Sequence, residues 1–271
     1  CCSNIGNAFL MVAQFDEALT FLLKAHSIQE ELNDNQGLAI TSNNIAGIYF
    51  RLKHHQTALQ YLEHSLEIFT EYKNSFGIAK TLRNIGQNYD SLEDFEKALS
   101  YQYQSIEVTK KIGDKHSLAI AFSNLGITNR RLGRYEESIE NHRKSLAYFE
   151  DLNENHGKCD EYLQIGETLR LSGKHEEALQ FFHIGIEIAE SINAKTTLAD
   201  LLVGASSACE LLGDYQESLR FYVESSKLRD QILNADKQKL IAVMETRLAI
   251  ENALKEREVY RLRNVERSEE H

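Results

Sequence analysis

The sequence predicts an all-α protein made of stacked helix pairs, and three observations carry that expectation. None of its 271 residues is proline, where average usage of about 5 % would give about 13. A chain without proline lacks the residue that most often interrupts helices and shapes turns. One short pattern recurs every forty residues: NIGNAFL, NIAGIYF, NIGQNYD, NLGITNR and QIGETLR. Twelve residues after its small residue, each copy carries a second small residue and then a large apolar one. Self-similarity at a fixed period marks an array in which each unit buries its apolar face against the next.

Taken in order, the first unit has Gly6 and Ala18 followed by Leu19, and the second has Ala46, Ala58 and Leu59. The third has Gly86, Ala98 and Leu99, the fourth Gly126, Ser138 and Ile139, the fifth Gly166, Ala178 and Leu179. A weaker sixth copy holds Ser206, Ser218 and Leu219. Each unit reads as two helices. In the third, Leu82, Ile85, Gly86 and Tyr89 fall at i, i+3, i+4 and i+7, one face of a helix. The break Ser91–Asp94 follows, then Phe95, Ala98, Leu99 and Ile106 along a second helix. Other breaks read LGRY, SGKH and LGDY, where glycine ends a helix. The small residues let antiparallel helices approach closely. Gly37, Gly77 and Gly157 are expected in the turns between units. Tyr61, Tyr101, Phe181 and Phe221 form an aromatic row on the second helices, which is repeat packing. Asn129 in unit four and the degenerate Ser206 and Cys209 in unit six predict looser packing there.

The array thus spans residues 1–235. From Asp236 the pattern stops and one long helix is expected over 236–271. Leu240, Val243, Ile250 and Leu254 fit heptad core positions, continued by Arg247, Arg257 and Arg261. Near its start this helix would cover the open face of unit six, as repeat arrays require. Further on it would be solvated, or pair with a second copy as a homodimer.

Composition excludes several functions. Net charge is −11, a poor basis for binding nucleic acid or anionic membranes. No apolar run is long enough to span a bilayer. The four cysteines and ten histidines form no CxxC, HExxH or similar pair, so no metal and no cofactor is expected. GxSxG, GxxxxGK[ST] and GxGxxG are all absent. The chain therefore reads as not an enzyme, with free cysteines and no signal-peptide pattern pointing to the cytoplasm. It opens inside the periodic pattern, as a piece of a longer protein would.

The residues Gly86, Tyr89, Ala98 and Ser105, repeated along the chain, resemble a tetratricopeptide repeat array of the forty-residue subtype. The likeness is to the N-terminal sensory regions of bacterial signalling proteins such as diguanylate cyclases, histidine kinases and nucleotide cyclases. It implies a right-handed superhelical α-solenoid whose first helices line a concave groove. The usual repeat-ending proline is missing, and the period is forty rather than 34. In peptide-binding members of the family, an asparagine at one position pairs with the backbone of an extended ligand. Here that position holds Asn44, Asn84 and Asn124, with Asn4 before them and Gln164 after. The same amides would equally serve to tie neighbouring helices together. Lys80, Arg83, Arg130 and Arg170 face the same groove, with Asp160, Glu167, Asp200 and Glu210 toward its C-terminal end. Arginines suit bidentate capture of carboxylates, so an acidic peptide or protein surface is the expected partner. The expected function is a regulatory, protein- or peptide-binding module of a larger bacterial signalling protein. The alternative is a free-standing scaffold or adaptor that binds an extended acidic peptide in the groove.

Overall fold

The computed structural model describes residues 2–12 and 14–269, with side chains described as far as Thr246. Twelve α-helices form six antiparallel pairs among these residues. They are α1 (Cys2–Met11) with α2 (Phe15–Glu31), α3 (Asn35–Arg51) with α4 (His55–Glu71), and α5 (Ser75–Ser91) with α6 (Phe95–Ile112). Then follow α7 (Lys115–Arg131) with α8 (Tyr135–Asp151), α9 (Asn155–Leu171) with α10 (His175–Ser191), and α11 (Lys195–Leu212) with α12 (Tyr215–Glu269).

The period comes from a stop signal every twenty residues. Asn33, Lys53, Lys73, Glu93, Gly113, Gly133, Asn153, Gly173, Asn193 and Gly213 all have left-handed backbone, with φ between 52° and 82°. This conformation ends a helix by turning the chain away from its axis. Five of these residues are followed at once by a side chain that starts the next helix. Asp34 accepts from the Gly37 N–H at 3.0 Å and Asn74 from the Gly77 N–H at 3.0 Å. Asp94, Asp114 and Asp214 do the same for Lys97, Ser117 and Glu217. Each such cap satisfies a backbone donor that the helix leaves unpaired.

The first helices of successive pairs touch one another, α1 on α3 and onward to α9 on α11. The second helices of successive pairs stand further apart and meet through long side chains, as His26 does Tyr61 and His183 does Phe221. The first helices are therefore the tighter, inner layer of an α-solenoid, and their free faces form its concave side.

Inside each pair the repeated small residues set the spacing. A Cβ added to Gly166 would stand 2.5 Å from the ring of Phe182, and one on Gly126 would stand 2.6 Å from that of His142. Aromatic stacks join the two helices of the first three pairs: Phe9 on Phe21, Tyr49 on Tyr61 and Tyr89 on Tyr101, with ring centres 5.5–5.8 Å apart. In the fourth pair that place is held by Asn129 and Asn141. Both are buried, and their amides donate back to Leu125 and Glu137 carbonyls at 2.9 and 2.7 Å. Cys209 and Ser206 are likewise buried, and the Ser206 hydroxyl lies 2.9 Å from the Ser218 carbonyl. The looser packing expected at these three positions does not show as exposure, because each is small and two bond to backbone.

Two further expectations need correction. Gly77 and Gly157 lie in the opening turns of α5 and α9, not in the loops, where a Cβ would stand 2.4 Å from Phe69 and Phe149 respectively. Their small size serves close packing on the preceding helix. Nor do the first turns of the tail cover the sixth unit. α12 passes through Asp236 without a break, and every residue from Leu233 to Thr246 is exposed. The covering is done earlier in α12, by Phe221, Leu228 and Ser225, whose hydroxyl donates to the Ala199 carbonyl at 2.9 Å. Of the heptad positions, Leu240 and Val243 are exposed. Arg247, Ile250, Leu254, Arg257 and Arg261 lie outside the residues whose side chains are described.

Candidate binding face

The first helices carry the asparagine ladder, and the structure shows where its amides go. Asn44 donates to the side-chain oxygen of Asn7 at 2.8 Å, and Asn84 donates to that of Asn43 at 3.1 Å. Asn124 accepts from the side-chain amide of Gln87 at 3.2 Å. Each bond runs from one first helix to the next. These half-buried amides therefore tie neighbouring helices. The Asn124 amide nitrogen and the Gln164 amide oxygen are buried with no hydrogen-bond partner among the described residues.

The cations divide into two kinds. Arg170 is paired with Glu167 one turn before it, at 2.7 Å. Lys80, Arg83 and Arg130 have no ion pair among the described residues. All three are held below their ordinary pKa values, and loss of solvent is the first cause. Lys80 is exposed by area, yet the walls around it reduce its solvation and Arg83 beside it repels it. For Arg130, Glu167 partly offsets the desolvation and Arg170 adds to it. Among the acidic residues, Asp160 accepts from the Thr197 hydroxyl at 3.2 Å and burial raises its pKa. Asp200 pairs with Arg229 at 3.2 Å.

Two small cavities open between the first helices of adjacent repeats. One, of about 70 Å³, is lined by Gly47, Phe50, Leu62, Asn84 and Asn88 among others. The second, of about 130 Å³, lies one repeat further on, with Gln87, Asp90, Gln102, Asn124 and Thr128 in the corresponding places.

Sequence reasoning missed one buried pair. His142 on α8 and Glu161 on α9 are essentially inaccessible, with Nδ1 and Oε2 2.8 Å apart. His142 sits in the register of Leu22, Leu62 and Phe182. A titratable residue at a place where Leu22, Leu62 and Phe182 are apolar and Gln102 is neutral was the available signal.

Burial pushes the Cys159 thiol up to about 11, the reverse of the depressed value that makes a cysteine nucleophilic. No group of three metal-ligating side chains converges, and no helix is long and apolar enough to cross a membrane, among the described residues.

Stacked helix pairs with a polar, partly cationic concave face define a repeat-type recognition scaffold. The chain belongs to the tetratricopeptide repeat family, matching it over residues 2–71, 37–111 and 77–151. No curated protein matches the chain in sequence. Among solved structures, it is similar to BtubC (BKLC) from P. vanneervenii, with a TM-score of 0.71 at 12 % identity over 80 % of this chain and 92 % of that one. It is similar to a signal-transduction ATPase of the STAND type with a tetratricopeptide repeat sensor from Pyrococcus horikoshii. There the TM-score is 0.71 at 19 % identity, over 86 % of this chain and 37 % of that one. A third is the Rap conjugation gene regulator of plasmid pLS20 in complex with the Phr* peptide, with a TM-score of 0.64 at 15 % identity over 86 % and 74 %.

Proposed function

We propose that the chain is a protein- or peptide-binding module that takes an extended acidic segment along its concave face, across repeats two to five. One observation carries the reading: Lys80, Arg83 and Arg130 stand poorly solvated and without ion pairs on the inner face of a chain whose net charge is −11. A desolvated cation is costly unless an anion comes to it, and guanidinium groups match carboxylates in geometry. The Phr* peptide bound by one structural neighbour supports a peptide-sized ligand. The repeat sensor of another supports a regulatory role within a larger signalling protein. Lys80, Arg83 and Arg130 would hold carboxylates, with Asn44, Asn84, Asn124, Gln164 and Arg170 framing the groove. The tail helix would then be the connector to an output domain or a pairing surface for a second copy, in the cytoplasm.

The test is fluorescence anisotropy with end-capped octapeptides carrying three glutamates, three glutamines or three lysines in an otherwise Ala/Ser background. The glutamate peptide is expected to bind most tightly, to weaken with added salt, and to lose tenfold or more with Arg83→Glu/Arg130→Glu. Equal binding of glutamate and lysine peptides, or no change in the double variant, sinks the reading.

A further inference from the structure

The second helix of the sixth repeat turns outward a register that every earlier repeat buries. Leu22, Leu62, Gln102, His142 and Phe182 hold that register and are buried, whereas Tyr222 is 61 % exposed. Phe221, Ser225 and Leu228 face the array, and Leu219 and Val223 stand exposed beside Tyr222 on the opposite side of α12. In repeat five the first helix that follows covers the equivalent face, with Gly204 against the Phe182 ring. Here no such helix folds back among the described residues. Left-handed residues stop the helices every twenty residues as far as Gly213. The next stop would fall at Leu233, and α12 runs through it unbroken to Glu269. The exposed face continues past the array in steps of three and four residues, through Leu233 to Leu240, Ile241 and Met244, each more than half exposed. That spacing keeps a stripe on one side of a helix, and from Leu219 to Met244 it is about 39 Å long at about 1.5 Å per residue.

An exposed apolar stripe of this length marks an interaction surface, and this one is its own complement. Two copies of α12 laid antiparallel, with a two-fold axis between Gln231 and Ile232, set Leu219 of one copy against Met244 of the other. The same register sets Tyr222 against Leu240 and Val223 against Ile241. At the edges it brings Arg220 to Glu245 and Arg229 to Asp236, and it leaves Lys237 about one turn from Asp230. A parallel pair would set Asp230 on Asp230 and Lys237 on Lys237. Charges flanking a helix seam decide orientation, and here they favour the antiparallel one. We propose that a second copy of the chain covers this face, as an antiparallel pair of α12 helices. The tail of each copy then lies where the first helix of a seventh repeat would lie, in the same antiparallel sense. The contact is isologous and closes as a dimer. It selects one of the two roles given to the tail above, and it does not depend on what the groove binds.

The test uses the full chain with Cys1→Ser/Cys2→Ser, which leaves the buried Cys159 and Cys209. Chains carrying Val223→Cys and chains carrying Ile241→Cys are oxidised separately and mixed. Disulfide-linked dimer is expected in the mixture at least fivefold above either chain alone. Cross-linking of Val223→Cys to itself at the level of the mixture shows a parallel pair and overturns the proposal. Sedimentation of the wild-type chain is expected to give a dimer at tens of micromolar. Leu240→Glu/Ile241→Glu is expected to weaken it at least tenfold with helix content unchanged, since both residues are exposed. Arg220→Glu or Glu245→Arg alone should weaken it about threefold, and the two together should recover most of that loss. A monomer at hundreds of micromolar, which leaves the face to some other partner, overturns the pairing, and so does a dimer indifferent to Leu240→Glu/Ile241→Glu. The glutamate octapeptide and Arg83→Glu/Arg130→Glu judge the groove separately, so either reading can fail while the other stands.

Discussion

Repeats four and five are built on one register and bury different things. In repeat five, Phe182 is completely buried against Gly166 and packs with Leu201 and Leu202 in the largest apolar cluster. Forty residues earlier the same place is His142, paired with Glu161, while Asn129 and Asn141 stand where the first three repeats stack aromatic rings. The helices, turns and spacing are the same. The repeat therefore specifies shape and spacing, and it tolerates polar residues inside: both asparagine amides and His142 Nδ1 are hydrogen-bonded, while His142 Nε2 has no partner among the described residues. Apolar burial supplies stability in one repeat. In the other, the buried pair roughly offsets its own desolvation.

The largest test of this contrast is Phe182→Ala. Emptying the space between Gly166 and Gly204 is expected to cost about 4 kcal/mol in urea unfolding. Next comes the polar repeat: His142→Leu leaves Glu161 buried without its partner and is expected to cost about 3 kcal/mol. Adding Glu161→Leu, the residue Leu201 provides one repeat on, should restore most of that loss. If the double variant stays as unstable as the single, the pair is worth more than apolar packing and the comparison breaks. Ala at Gly126 or Gly166 would crowd the ring opposite, and each is expected to cost about 2 kcal/mol.

A smaller effect appears at alkaline pH. The Cys159 thiol, near 11 when folded, ionises near its ordinary 9 once unfolded. The folded state thus holds more protons in that interval. This stabilising contribution is full below pH 9 and is lost as pH rises through 11. Unfolding curves of wild type and Cys159→Ala, compared between pH 8 and 11, should converge as pH rises. Native Cys159 should also resist thiol-labelling reagents at pH 8. The smallest gain is expected at the left-handed turn residues Lys53, Lys73 and Glu93. Replacing any of them with glycine should add about 0.5 kcal/mol in the same unfolding assay, since the relieved backbone strain exceeds the entropy glycine loses.

Much of this was legible because it repeats. Gly6, Gly86, Gly126 and Gly166 with Ala18, Ala58, Ala98 and Ala178 announce the helix pairs, since close packing admits only small residues there. Lys53 and Glu93 hid their turns because their conformation is imposed by the flanking helices, not by their own preference. The groove amides were found, but not their partners. Asn84 meets Asn43 and Gln87 meets Asn124 at separations of 41 and 37 residues, offsets set by how adjacent helices cross. His142 and Glu161, 19 residues apart on different helices, follow no repeated spacing, so periodicity alone does not pair them.

The sixth repeat ends without a joint. Its second helix and the tail are one 55-residue helix, and the stretch beyond Leu233 is about 55 Å long at about 1.5 Å per residue. Such a shaft is a lever whose short arm lies inside the array. A tilt of about 5° between α11 and the root of α12 sweeps the far tip through about 5 Å. Small shifts in how the last repeats stack are thereby geared into displacements as large as a helix turn.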